Sequence, residues 1–433
     1  MQEGSIARSK LMVSTHMLWM YALFAISCLN RNILIVWIII MPIYLILQYG
    51  KAGAVEFFIF LQLRSLLSTG IAVGFDGILA SIKWGIVFLL SVYLLLGYRK
   101  MKNAEISNVI FWVVILSVVS IISAWMTSSY PVTASFKVLS YAIPFTAILK
   151  GVSETEDCAW IKKITQSLGM LVLGSAVLLN SSIGYLRNGR SFQGVFNHPN
   201  VYGVMLSIFV AGYLYQQKRL SVKAILVIGA SLFLLYQTGS RTGMISVMVT
   251  IVIFLATQDL YPATKALSVI LVVVVTGLVL SLDGSLSDAI MNYLYKGNSD
   301  NIFASRTDQI ANNMSRFLKS PILGTGFNVP YVEGVRTYAF SFDLITENGN
   351  LFMAILGDIG VIGMFLFLIT YGKIFLLGKG TISTIFLAPF LVCMGEMAFF
   401  STNNFGIILY LYFAIYAVNG CKNEYELDYG GRQ

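Results

Sequence analysis

Charge is what this sequence has least of. Only 11% of its 433 residues are Asp, Glu, Lys or Arg, against about 25% in a typical soluble domain, and that deficit excludes a soluble globular fold. Histidine occurs only at His16 and His198. The four cysteines, Cys28, Cys158, Cys393 and Cys421, are scattered without CxxC or metal-ligand spacing, which argues against a disulfide framework or a cysteine metal site. There is no Walker-type loop, dinucleotide fingerprint or HExxH, and no acidic triplet at metal spacing in the polar segments. Neither cofactor nor metal is expected, so the energy for any reaction must arrive with the substrate.

Apolar residues fill the space that charge leaves. They make up 57% of the chain, and mean hydropathy is +0.78. Runs long enough to cross a hydrocarbon core about 30 Å thick as helices are expected near 12–29, 33–49, 54–73, 78–97, 108–126, 133–150, 164–183, 199–215, 221–237, 242–257, 264–282, 350–371, 383–399 and 403–419. The fold class is therefore all-α and polytopic, with about 12–14 transmembrane helices. The run at 54–73 contains Arg64 and could be a broken or interfacial helix. The first run leads at once into a second and has no convincing small-residue cleavage site, so it reads as a span and not a signal peptide.

Lys51, Arg99, Lys100, Lys102, Lys162, Lys163, Lys218, Arg219 and Lys223 fall on alternate loops. By the positive-inside rule those loops and both termini are cytoplasmic. The net charge of +9 is then mostly loop charge drawn to anionic membrane lipid, not a nucleic-acid surface. Three regions are expected: N-terminal helices over 1–184, a core over 185–371 holding a long outer loop at 283–348, and C-terminal helices with a short tail over 372–433. Within the loop, Ser305-Arg-Thr-Asp308 resembles a capping box, and Ile310, Met314, Phe317 and Leu318 recur at helical spacing until Pro321. That pattern predicts an amphipathic helix on the membrane or over a cavity. GTGF at Gly324–Phe327 predicts a turn.

Arginine and lysine are sorted by side. The outer segments hold Arg31, Arg187, Arg190, Arg241, Arg306, Arg316 and Arg336 but only Lys296 and Lys319. A guanidinium fork matches phosphate oxygens as an ammonium does not, so this sorting suits a phosphate-bearing lipid; anchoring of helix ends to headgroups explains it as well. Arg187 and Arg190 belong to the stretch around GRSFQGVFNHPN, and Arg241 lies in TGSRTG with almost no loop around it. A charge so placed is a functional candidate, although a plain hairpin turn accounts for the glycines. His198 precedes Pro199 and Asn200, where it can cap a helix or act on a sugar hydroxyl. Glu347, Asp343 and Glu333 are acids able to take a hydroxyl proton. Tyr331, Tyr338, Phe340 and Phe342 suit sugar stacking or an ordinary interfacial belt. Lys83 and Lys137 lie within spans, as a transporter would need.

The ordered set GRSFQGVFNHPNVYG, GSRTG, SRTDQI with SPILGTGF, and TENGNLFMAILGDIGVIG resembles the O-antigen ligase and polymerase (Wzy-type) superfamily over roughly 185–370. The resemblance implies a GT-C glycosyltransferase fold in the bacterial inner membrane. It implies as partners an undecaprenyl-diphosphate-linked glycan donor and acceptor, with a separate chain-length regulator. Arg190, Arg241 and Arg306 then match the arginines that hold the donor diphosphate, with Arg187, Arg336, Asn200 and Tyr338 as further substrate-binding residues. Ligases of the superfamily carry a histidine where this chain has Thr346-Glu347-Asn348. The departure favours a polymerase, with Glu347 as base and Asp343 and His198 as the other catalytic candidates. A ligase that hands glycan to lipid A core or protein, and a lipid-linked oligosaccharide flippase, are the alternatives.

Overall fold

A computed structural model describes residues 15–96, 104–155, 159–257, 304–342, 344, 346 and 348–430. The span expected at 264–282, the first part of the long loop, and the candidate acids Asp343 and Glu347 lie outside those residues, as does the side chain of Arg306. The described chain forms α1 (Thr15–Ile26), α2 (Arg31–Tyr49), α3 (Lys51–Ser65), α4 (Ile78–Leu95), α5 (Ala104–Thr127), α6 (Pro131–Glu154), α7 (Trp160–Gly174), α8 (Pro199–Tyr215), α9 (Val222–Thr238) and α10 (Arg241–Thr257). Beyond residue 303 come α11 (Ala304–Lys319), α12 (Leu351–Leu377), α13 (Thr384–Cys393) and α14 (Gly406–Gly430). No sheet occurs among the described residues, only an isolated bridge between Leu67 and Phe196. Among the described residues, six helices (α2, α4, α5, α6, α12, and α7 with its 3-10 extension to Leu178) are long and apolar enough to cross a membrane. The chain is an all-α polytopic membrane protein.

Local chemistry sets the helix ends. Asn30, Ser221 and Asn350 accept backbone N–H groups of the first turns of α2, α9 and α12, satisfying donors that lipid could not. Gly239, at φ +63°, closes α9 in the left-handed conformation. Packing decides depth. Every residue of α3 from Gly53 to Arg64 is buried, and α14 is enclosed through Val418. These two helices form the centre, while α2, α4, α5 and α9 turn exposed Ile, Leu, Val and Phe outward, as a lipid-facing surface requires. The run read as a span at 54–73 is shorter than expected: the helix stops at Ser65, and Arg64 turns inward to donate to the Ser27 oxygens and the Val73 carbonyl. A buried guanidinium that finds several acceptors in a neighbouring loop can be retained there.

Lysine–carboxylate pairs close one end of the bundle. There Lys51 pairs with Glu154, and Glu56 is held by Lys163 at 2.7 Å and His16 at 2.7 Å. The described outward arginines lie at the other end.

The long helix α12 is broken. Gly360 has φ 65° and ψ −165°, a conformation nearly confined to glycine. The freed backbone is met by the predicted GTGF turn and the residues before it: Thr325 N–H donates to Gly357 O, Gly326 N–H to Asp358 O, and Val361 N–H to Pro321 O. The fit is close, since a Cβ on Gly360 would come within 2.4 Å of the Ile322 carbonyl oxygen. Gly360→Ala is therefore expected to destabilise the protein by about 1–3 kcal/mol or more through backbone strain alone. A melting temperature equal to wild type in detergent would show that the break tolerates a side chain.

The predicted amphipathic helix is present as α11, beginning at Ala304, ahead of the expected cap. Its orientation differs from a simple amphipathic reading. Met314 and Leu318 are exposed, at 46% and 67%, whereas the polar Asn313 and Arg316 are buried against α12. An acid on the neighbouring helix makes burial of the polar face the favourable choice.

Candidate donor site at the arginine end

The loop from Arg187 to Asn197 is pinned from below. Phe192 and Phe196 are fully buried, each with its ring centroid 5.4 Å from that of Tyr202. The Gln193 side chain accepts from Arg187 N–H at 2.8 Å and donates to Phe196 O at 2.9 Å. Above this anchor, Asn188 Oδ1 accepts from the N–H groups of Arg190 and Ser191, and Gly189 takes φ +70°. The side chains of Arg187 and Arg190 are left on the exposed surface. A rigid base beneath exposed guanidinium groups suits a charged headgroup that arrives from the membrane surface.

The same loop is fastened to the second arginine motif. Phe192 N–H donates to Gln237 O at 2.9 Å, two residues before Gly239. Ser240, buried, accepts from Gly243 N–H and so caps α10. Arg241 is the first residue of α10 and is half-buried. GRS and GSR thus share one neighbourhood, although about fifty residues separate them.

Two more helix starts meet here. His198 caps α8, its Nδ1 accepting from Asn200 N–H at 3.1 Å, with Pro199 in the first turn. Asn350 caps α12, and its Nδ2 approaches Met394 Sδ at 4.0 Å. Next to that methionine, Gly395 lies so tightly against Thr242 that a Cβ would stand 2.0 Å from its hydroxyl oxygen. Glu396 Oε1 then accepts from Asn200 Nδ2 at 2.8 Å. The turn 394–396 is therefore gathered among the N-terminal ends of α8, α10 and α12. Each end carries partial positive charge and outward N–H groups. With Arg190 and Arg241 beside them, the assembly can hold a diphosphate and stabilise negative charge that develops on it.

Because its side chain accepts from the helix N–H, His198 works as a cap. Replacement by Asn, a good capping residue, is expected to hold the melting temperature and His198→Ala to cost about 1 kcal/mol. If His198→Asn instead melts normally but loses activity, the imidazole has a chemical role.

Other expected site residues lie elsewhere. Arg336 donates to the Trp125 carbonyl and covers the Tyr338 ring at 5.7 Å, and Tyr338 meets Trp125 at 5.8 Å. Both belong to a strap over the α5–α6 corner, where Phe340 and Phe342 pack on Phe136. Glu333 pairs at the surface with Lys319 at 2.8 Å, and that carboxylate pushes the Lys319 ammonium up from its usual range. The lysines within spans are occupied: Lys83 bonds Asn403 Oδ1, and Lys137 donates to the Asn328 and Leu344 carbonyls. They hold loops, which removes the motive for a mid-membrane transport site.

Arg316 is buried in an ion pair and is withdrawn from the surface. It is 2% exposed and its Nη2 donates to Asp358 Oδ1 at 2.6 Å. It also donates to Thr325 Oγ1 and Gly326 O, while Asp358 Oδ2 accepts from Asn328 N–H. Sequence reasoning missed Glu396 and Asp358 because both lie in stretches read as spans. An acid inside an apolar run was itself the available signal.

Residues 224–368, about a third of the chain, match the family model described as O-antigen ligase, consistent with the O-antigen polymerase and ligase superfamily. The match includes Arg241, α11 and the break in α12, and stops short of Glu396. No curated protein matches the chain.

Proposed function

We infer from an O-antigen ligase domain within a membrane bundle that the protein is a glycosyl-transfer enzyme acting on lipid-linked glycans, and we propose that it polymerises undecaprenyl-diphosphate-linked repeat units. The observation that carries this is the junction of the GRS loop and the GSR turn at three helix N-termini. Arg190 and Arg241 hold the donor diphosphate, with Arg187 and Arg306 as further contacts. Arg336 and Tyr338 serve the glycan further out, on the α5–α6 corner.

The reaction is an inverting displacement. An acceptor hydroxyl oxygen bonds to the anomeric carbon as the carbon–oxygen bond to the diphosphate breaks. The hydroxyl proton passes to a carboxylate, Glu347 or Asp343, and undecaprenyl diphosphate leaves with the bonding pair. Guanidinium groups and helix N-termini stabilise the leaving charge. In this reading the arginine end faces the periplasm across a bacterial inner membrane, the termini are cytoplasmic, and a chain-length regulator is a partner.

A second reading has its own support, because the matching family is described as a ligase. The two differ in product. Purified protein given lipid-linked repeat units should yield a ladder if it is a polymerase; a ligase forms no ladder and transfers finished glycan once lipid A core or an acceptor protein is added. Absence of both products would overturn glycosyl transfer.

A further inference from the structure

We infer that Asn348 and Glu396 form a saccharide-binding subsite at the head of α12, which takes hydroxyl groups of the lipid-linked glycan. The inference rests on the glycosyl-transfer reading and names side chains that reading does not use.

Asn348 is 4% exposed, yet neither its Oδ1 nor its Nδ2 has a hydrogen-bond partner among the described residues. The Thr346 hydroxyl, two residues earlier, is likewise buried and unpartnered. Buried polar groups in folded proteins are nearly always satisfied, and a primary amide left wholly unpaired is costly. Asn348 lies two residues before Asn350, the cap of α12, whose Nδ2 approaches Met394. Two residues past Met394, Glu396 is bonded to Asn200. Gly395, between them, packs on Thr242 beside Arg241. Asn348 and Glu396 thus lie two residues from the Asn350–Met394 contact, one on each of the two segments that meet there, next to the arginine turn.

Their chemistry selects the ligand. An amide both donates and accepts and a carboxylate accepts, which matches pairs of sugar hydroxyls. A phosphate offers acceptors only, and Glu396 would repel it. The division of labour follows: arginines and helix N-termini take the diphosphate, and the acid–amide pair takes the sugar attached to it.

The test uses full-length protein in nanodiscs and two probes, undecaprenyl diphosphate and the same lipid carrying a repeat unit extracted from the producing cells. Affinity is measured for wild type, Asn348→Leu and Glu396→Gln, with melting temperatures alongside. Wild type should prefer the glycan-bearing lipid, and each variant should lose about tenfold for that lipid while holding the bare one unchanged. Asn348→Leu should melt no lower than wild type, because it removes an unpaired buried amide. Equal affinity for the two lipids in wild type, or an unaltered preference in both variants, would refute the subsite and leave the diphosphate site standing. A lower melting temperature in Asn348→Leu with unchanged glycan affinity would make Asn348 structural and refute its part. If wild type binds neither lipid, the glycosyl-transfer reading falls and the subsite falls with it.

Discussion

Arg241→Ala is expected to lower glycosyl transfer by about a hundredfold to a thousandfold, the usual cost of removing one preorganised donor to a developing negative charge. The residue opens α10, directly after the Ser240 cap and beside the loop of Arg190. A charge fixed at that point needs no reorganisation when the diphosphate departs. Ser240 still caps the helix in the variant, and its melting temperature is recorded alongside so that rate is compared on folded protein. Arg241→Lys should recover only part of the rate, since an ammonium keeps the charge but not the planar fork. The measurement is product per unit time from purified, folded protein. Product of wild-type length and yield from the alanine variant would sink the diphosphate clamp.

The second large effect concerns stability. Arg316→Ala and Asp358→Ala should each destabilise the protein by about 3–5 kcal/mol, because either change strands the opposite charge in a dry interior. The pair is nearly solvent-free, 2% and 1% exposed, and closes at 2.6 Å. It also fastens the turn at Thr325–Asn328 to the break in α12, so losing it frees the turn as well. The double change Arg316→Met with Asp358→Leu should regain much of the loss, since apolar side chains of similar size often replace a buried pair at little cost. Recovery will be incomplete, as Gly326 O and Asn328 N–H lose their partners. Thermal melting of the three variants decides the matter: single variants that melt with wild type would mean that the pair is not load carrying.

The sequence by itself determined the architecture. Length and apolarity of a run, together with a cap such as Asn30, Ser221 or Asn350, are local properties, and lipid forces every such run to satisfy its own backbone. The expected and observed helices accordingly agree closely at 33–49, 199–215 and 221–237. The local turn signals were legible for the same reason: GTGF is a turn, and His198-Pro199 opens a helix. The similarity to the O-antigen ligase family, matched over residues 224–368, was legible as a run of ordered motifs.

Only the tertiary structure decided which partner each charge and polar group finds. Arg241 and Arg316 look alike in sequence, both on the side poor in lysine. Arg316 is consumed by Asp358, 42 residues away, and Asn200 meets Glu396 at a separation of 196. Such pairings form because a low-dielectric interior makes an unpaired charge or polar group expensive, and the partner is chosen by which helices pack together. Periodicity can assign a residue to a helix face but not say what the face meets. For that reason α11 was legible as an amphipathic helix, and the burial of its polar side was not.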